Sequence, residues 1–145
     1  MKFLNNNNIE IKLSKSVNFP GFEVLMPKSM VIESQLDNPF FKEFKGVNIL
    51  QFPKKMKGFR NNSDLEQLFD PVKINLGIKP ILEENQVAIF QPDINTLTMH
   101  KLQGSSQLFA NGEEISPSFI NYGMHEAKLE KDTVIGDIIV LRTSI

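Results

Sequence analysis

Few side chains in this chain are placed to do chemistry, and each set has an ordinary explanation beside the catalytic one. His100 and His125 could join Glu126 at a metal. Zinc chemistry needs three well-placed protein ligands, however, and no recognised ligand spacing occurs here, so both histidines read as ordinary strand residues. Ser105 and Ser106 could act as nucleophiles, but Gly104-Ser-Ser106 lacks the elbow around a hydrolase serine and reads as a loop. Glu83-Glu84 and Glu113-Glu114 are adjacent pairs at turns. Neighbouring strand residues point to opposite faces, so such pairs are poor acid/base dyads and read as solvated. No glycine-rich loop precedes a helix, which removes phosphate cradling of the Walker type.

Phe52-Pro-Lys-Lys-Met-Lys-Gly-Phe59-Arg60 mixes rings with cations. That combination binds single-stranded nucleic acid by stacking and charge neutralisation. The formal net charge of -1 argues against it. A solvated loop anchored by Phe52 and Phe59 is the plainer reading. Between the two stands a loop docking on an acidic neighbouring subunit, with Lys54, Lys55, Lys57 and Arg60 as partner-binding residues. The acidic residues Glu113, Glu114, Glu126, Glu130, Asp132 and Asp137 populate the C-terminal third, which fits charge-steered assembly.

The elements that would hold these residues are short and β-like. Ile9–Leu13 alternates apolar and polar residues, Phe22–Met26 follows the turn Asn18-Phe-Pro-Gly21, and Met30–Glu33 follows Pro27-Lys-Ser29. Three close strands predict antiparallel pairing. Val47–Phe52 reads as a strand, and Ser63-Asp-Leu-Glu66 is a capping box that predicts a short helix over Asp64–Phe69, ended by Pro71. Val72–Ile78 and Ile81-Leu82 flank Pro80, so a strand there lies at an edge or bends. Gln86–Phe90, Thr96–Leu102 and Gln107–Ala110 are further strand predictions, and Asn111-Gly112 is a hairpin turn needing positive φ. The end of the chain is the most legible: Ile115–Gly123, Met124–Leu129 and Thr133–Arg142 are consecutive strands separated by turn residues. The final run is expected inside a sheet.

These patterns predict an all-β protein, a single jelly-roll or distorted β-barrel or sandwich domain over residues 1–145, with one short helix and a flexible segment at 1–8. The 145 residues suffice for a core without staples, and the absence of cysteine rules out disulfides and zinc-thiolate sites. No apolar stretch reads as a signal peptide or a bilayer span, so the expectation is a soluble protein, not secreted through a signal peptide, with no membrane partner. Asn, Lys, Ile and Phe are favoured, as in translation from an AT-rich genome.

The C-terminal segment resembles the dUTPase and dCTP deaminase superfamily. There a motif Ile-Asp-Pro-x-Phe/Tyr-x-Gly is followed by a strand and then by Gly-Asp-x-Ile-x-x-Leu. This chain has Ile115-Ser116-Pro117-Ser118-Phe119, then Gly123, and later Gly136-Asp137-Ile138-Ile139-Val140-Leu141. Pro20-Gly21-Phe22-Glu23-Val24 is similar to the family's early Gly-Tyr/Phe-Asp-Leu strand, and Gly77–Val87 to the strand before its phosphate loop. The family's Arg-Ser-Gly loop would fall at Gln91-Pro-Asp-Ile94, which has neither Arg nor Ser, and Ser116 stands where the catalytic carboxylate belongs. The resemblance implies a β-barrel or jelly roll that often assembles as a trimer, without carrying over the activity.

With those residues missing, the sequence points first to a non-enzymatic assembly protein. A virion component of a virus or phage (capsid decoration, fibre base or connector) in the virion or host cytoplasm would fit, contacting protein subunits as a homo-oligomer, without cofactor. The alternatives are a dUTPase-like nucleotide hydrolase, with Mg²⁺ on the substrate's phosphates and water oriented by Asp93, Glu113 or Glu114, and a single-stranded nucleic-acid-binding module.

Overall fold

The computed structural model describes residues 1–37 and 71–144. The helix expected at Asp64–Phe69, the strand at Val47–Phe52 and the basic residues Lys54, Lys55, Lys57 and Arg60 lie outside them.

The described residues are mostly strand, in four antiparallel sheets around one apolar core. β1 (Lys2–Leu4) runs between β2 (Glu10–Ile11) and β6 (Lys79–Ile81). β5 (Val72–Lys73), β10 (Ser118–Asn121) and β8 (Leu102–Gly104) form the second sheet, and β4 (Met30–Ile32) pairs with β11 (Ala127–Leu129). The fourth sheet has the order β3 (Phe22–Leu25), β12 (Val134–Arg142), β7 (Gln86–Pro92), β9 (Gln107–Phe109). One α-helix, α1 (Ile94–His100), and a 3₁₀ turn at Gln35–Asp37 complete the described elements. The described residues are therefore all-β in class, with one short α-helix among them.

Period-2 alternation builds the fourth sheet. Val24, Ala88, Phe90, Phe109 and Ile138 point inward and are buried, while their sequence neighbours point out. β12 is central and pairs with β7 over seven residues, Gly136 to Arg142, so the final strand does lie inside a sheet. Pro80 sits in the edge strand β6, where its missing N–H costs no ladder bond. Beyond β5 the chain stays extended. Ile74 N–H donates to Pro117 O (2.8 Å), and Ile115 N–H donates to Ile78 O (2.8 Å), burying Ile74, Leu76 and Ile78.

Four expectations are corrected. The three predicted N-terminal strands do not form one antiparallel set: β2 pairs with β1, while β3 pairs with β12 and β4 with β11, far away in sequence, and a single bridge, Lys15 to Phe22, links the first stretch to β3. Residues 1–8 are not a loose end, because β1 is a central strand with Phe3 buried against Phe22 in an edge-on ring contact at 5.1 Å. Gly112 has the expected positive φ of 76°, yet the strands on either side, β9 and β10, join different sheets, and Asn111 Oδ1 instead accepts from Leu82 N–H (2.8 Å). Finally, Thr96–Leu102 is not a strand.

Its helix has a local cause. Asp93 is the N-cap and its carboxylate accepts from Thr96 N–H at 3.0 Å, while Lys101 closes the other end at φ 52° with its N–H on Leu97 O and Thr98 O. Two carbonyls of β12, beside the register shift between Val134 and Gly136, bond the helix start. Thr96 Oγ1 donates to Val134 O (2.7 Å), and Asp93 N–H donates to Ile135 O (2.9 Å).

Buried Asn121 ties β10 to the neighbouring sheet. Its Nδ2 donates to Ile32 O (3.0 Å) and His125 O (2.9 Å), and its Oδ1 accepts from Gly123 N–H (2.8 Å). Asn121→Ala strands three backbone groups, two of them in buried bonds, and is expected to cost roughly 2–4 kcal/mol in urea unfolding. Asn121→Asp, which keeps the acceptor but loses the donors, should recover little of it.

Candidate functional site

The outer face of the fourth sheet carries one polar row in an otherwise apolar surface. Cross-strand partners place Glu23 opposite Asp137, and Asp137 opposite Gln91. Ser106 Oγ, just before β9, donates to Gln91 Oε1 and extends the row. Glu23 N–H donates away from β12, to Ser14 O at 2.8 Å. Glu23 and Asp137 are therefore a non-hydrogen-bonded pair, the geometry in which opposed side chains come closest. Asp137 is only 6% exposed and Glu23 is half-buried.

Two carboxylates held together away from bulk water repel each other unless a cation or a proton lies between them. Among the described residues neither forms an ion pair; the bridges there are Lys128–Glu126 and Arg142–Glu83. Oxygen donors from two carboxylates suit Mg²⁺, which takes one or two protein carboxylates and completes its shell with water and phosphate oxygens. Glycines let β12 pack closely on its neighbours. A Cβ on Gly136 would collide with the Phe90 ring and lie 2.5 Å from Gln91 O, and one on Gly21 would collide with Ile138 O.

The carboxylates singled out from sequence are elsewhere or otherwise engaged. Asp93 caps α1, putting a negative side chain where a phosphate at that helix start would have to go. Asp93→Ala is expected to cost about 1 kcal/mol of stability, the usual value of a cap. A melting curve checks it. Glu113 Oε2 accepts from Ala110 N–H (2.9 Å) within an exposed turn. Glu114 is half-buried, with Oε1 enclosed and unpartnered among the described residues. Ser116, at the position of the family carboxylate, is half-buried, and its hydroxyl lies 3.4 Å from Glu114 O.

Glu23 and Asp137 were each within segments that resemble the family, but nothing local marked them as partners. Ser106, read as a loop residue, enters the row through Gln91. His100 ends α1 rather than lying in a strand, and it shares a cleft with His125 and Glu126. Among the described residues no three His, Cys, Asp or Glu form a metal-holding group.

Comparison with solved structures places this geometry in a known fold. The chain is similar to the native dUTPase of EIAV, with a TM-score of 0.60 at 12% identity over 99% of this chain and 88% of that one. It is also similar to a dUTPase of Staphylococcus bacteriophage 80alpha with dUpNHpp (TM-score 0.61, 8% identity, 93% of this chain and 78% of that one). A third is the dUTPase from phage phi11 of S. aureus (0.60, 6%, 93% and 84%). No family model and no curated sequence matches the chain. The chain has a dUTPase-like β fold. Likeness to enzymes over nearly its whole length overturns the expectation that it is not an enzyme. The structural reading as a virion or capsid component falls with it, since the similar solved structures are dUTPases. No helix among the described residues is long and apolar enough to cross a membrane.

Proposed function

We propose that this chain is a nucleotide hydrolase of the dUTPase type that uses the Glu23–Asp137 pair in place of the absent motif residues. The observation that carries the reading is the pair itself: two carboxylate residues opposed across the adjacent strands β3 and β12 of a dUTPase-like sheet, neither in an ion pair among the described residues. Mg²⁺ bound there with a substrate's phosphates would neutralise charge building up on the phosphate oxygens. Glu23, the less buried carboxylate, orients the attacking water and takes its proton. Gln91, held by Ser106, is a neutral neighbour that does not add to the repulsion of phosphate. The substrate class is a nucleoside triphosphate cleaved to monophosphate and pyrophosphate, with dUTP the first to try. Release of pyrophosphate from dUTP, dCTP and dTTP is measured with and without Mg²⁺. Turnover with none of them, at enzyme concentrations well above trace contamination, would end this reading.

The same face supports self-association. Leu25, Leu108 and Leu141 point outward on it and are exposed, with Ile89 and Ile139 half-buried between them. An apolar sheet face of this kind is an interaction surface. Copies of the chain cover it in a homo-oligomer, a trimer being the form implied by the family resemblance. Lys54, Lys55, Lys57 and Arg60 remain, on sequence grounds, partner-facing residues within a single domain of 1–145.

A further inference from the structure

The chain contains two histidines, and each directly follows a methionine: Met99-His100 and Met124-His125. The fold brings both dipeptides to one cleft of about 340 Å³, between the last turn of α1 and the bend that joins β10 to β11. Lys101, Gly123 and Glu126 complete its lining. Both thioethers are available to solvent, Met99 at 76% and Met124 at 74% exposure.

The two sides of the cleft are fixed relative to each other. Tyr122 N–H donates to Lys101 O (3.0 Å), and a Cβ on Gly123 would lie 3.1 Å from Lys101 Cβ, so the bend packs directly on the helix end. The backbone that presents Met124 and His125 is pinned from beneath. Buried Ser34 Oγ donates to Gly123 O (2.6 Å), and Asn121 binds Gly123 N–H and His125 O. Ligands held by a rigid, hydrogen-bonded frame lose little freedom when they bind an ion.

We infer that Met99, His100, Met124 and His125 form a site for a soft, monovalent metal ion of the Cu(I) type. Thioether sulfur and imidazole nitrogen together suit such an ion, whereas Mg²⁺ and Ca²⁺ demand oxygen. The one nearby carboxylate is already used, since Glu126 Oε1 lies 3.6 Å from Lys128 Nζ. No triad of His, Cys, Asp or Glu is available among the described residues, so the cleft does not fit zinc in its usual ligand sets. Lys101 on the rim disfavours a divalent ion more than a monovalent one, because the repulsion scales with the charge.

The test is an anaerobic titration of the full chain with Cu(I) against a chromophoric Cu(I) chelator, followed in parallel by NMR of the methionine methyl and histidine ring signals. One equivalent is expected to bind, shifting the methyls of Met99 and Met124 and the rings of both histidines. The double variants M99L/M124L and H100N/H125N should each weaken binding by about tenfold or more. E126Q should leave it unchanged. All five positions line an open cleft, and circular dichroism of each variant confirms that the fold is kept. The inference is overturned if the chain does not compete with the chelator, if either double variant binds as the parent does, or if E126Q weakens binding as much as they do. Because the cleft and the Glu23–Asp137 row share no residue, Cu(I) binding stands or falls independently of nucleotide hydrolysis.

Discussion

Asp137→Asn and Glu23→Gln are each expected to lower Mg²⁺-dependent pyrophosphate release by about 100-fold or more, the usual loss when a positioned acid–base group is neutralised. Stability should respond in the opposite direction. The pair faces itself across β3 and β12 with no cation partner among the described residues, so removing one charge relieves a like-charge contact. Opposed like charges of this kind cost up to about 1 kcal/mol, and the melting temperature of each variant should stay level or rise. A loss of rate with unchanged or higher stability separates a catalytic pair from a structural one. If both variants turn over nucleotide at the parental rate, the reaction does not pass through these carboxylates. If instead rate and stability fall together, the row serves the fold. The double variant should be no worse than the poorer single one, since two groups that act as a unit are not additive.

Gly136→Ala is expected to be among the most destabilising single substitutions in the described residues. The added methyl would lie 2.7 Å from Phe90 Cε2 and 2.5 Å from Gln91 O, closer than atoms can sit without something moving. Neither neighbour gives way easily. Phe90 is fully buried in the core, and the Gln91 backbone belongs to the continuous ladder between β7 and β12. Overpacking of a rigid site costs roughly 1–3 kcal/mol and more when backbone must shift. The urea midpoint should fall accordingly with the slope of the transition unchanged. Gly112, with φ 76° and open space around it, is the contrast: Gly112→Ala is strained by its backbone angle alone and should cost less. A Gly136→Ala protein as stable as the parent would show that β12 can slide against β7. The Asp137–Gln91 register drawn from that ladder would then need revision.

Local pattern was enough for much of the architecture. Val134–Arg142, Gln86–Pro92 and Phe22–Leu25 read as strands because they are short runs rich in Val, Ile, Leu and Phe bounded by turn residues, a signal that needs no partner to be read. Pro80 announced an edge strand and Gly112 a positive φ, since both are properties of the residue itself. Alternation misled at Thr96–His100, where period 2 also fits the residues but a cap at Asp93 and two carbonyls of β12 make helix the better-bonded state. Those carbonyls reach the helix start only once β7 and β12 have paired.

Function was less legible for the same reason. The candidates taken from sequence, Asp93, Glu113 and Glu114, were chosen by closeness to motif positions, and backbone N–H groups occupy the first two. Glu23 and Asp137 lie in the first and last portions of the chain, and the two Met-His dipeptides lie on different elements. A side chain's type and its strand face follow from its own segment. Which other side chain it meets depends on long-range register, and that is set by the packing of the whole core.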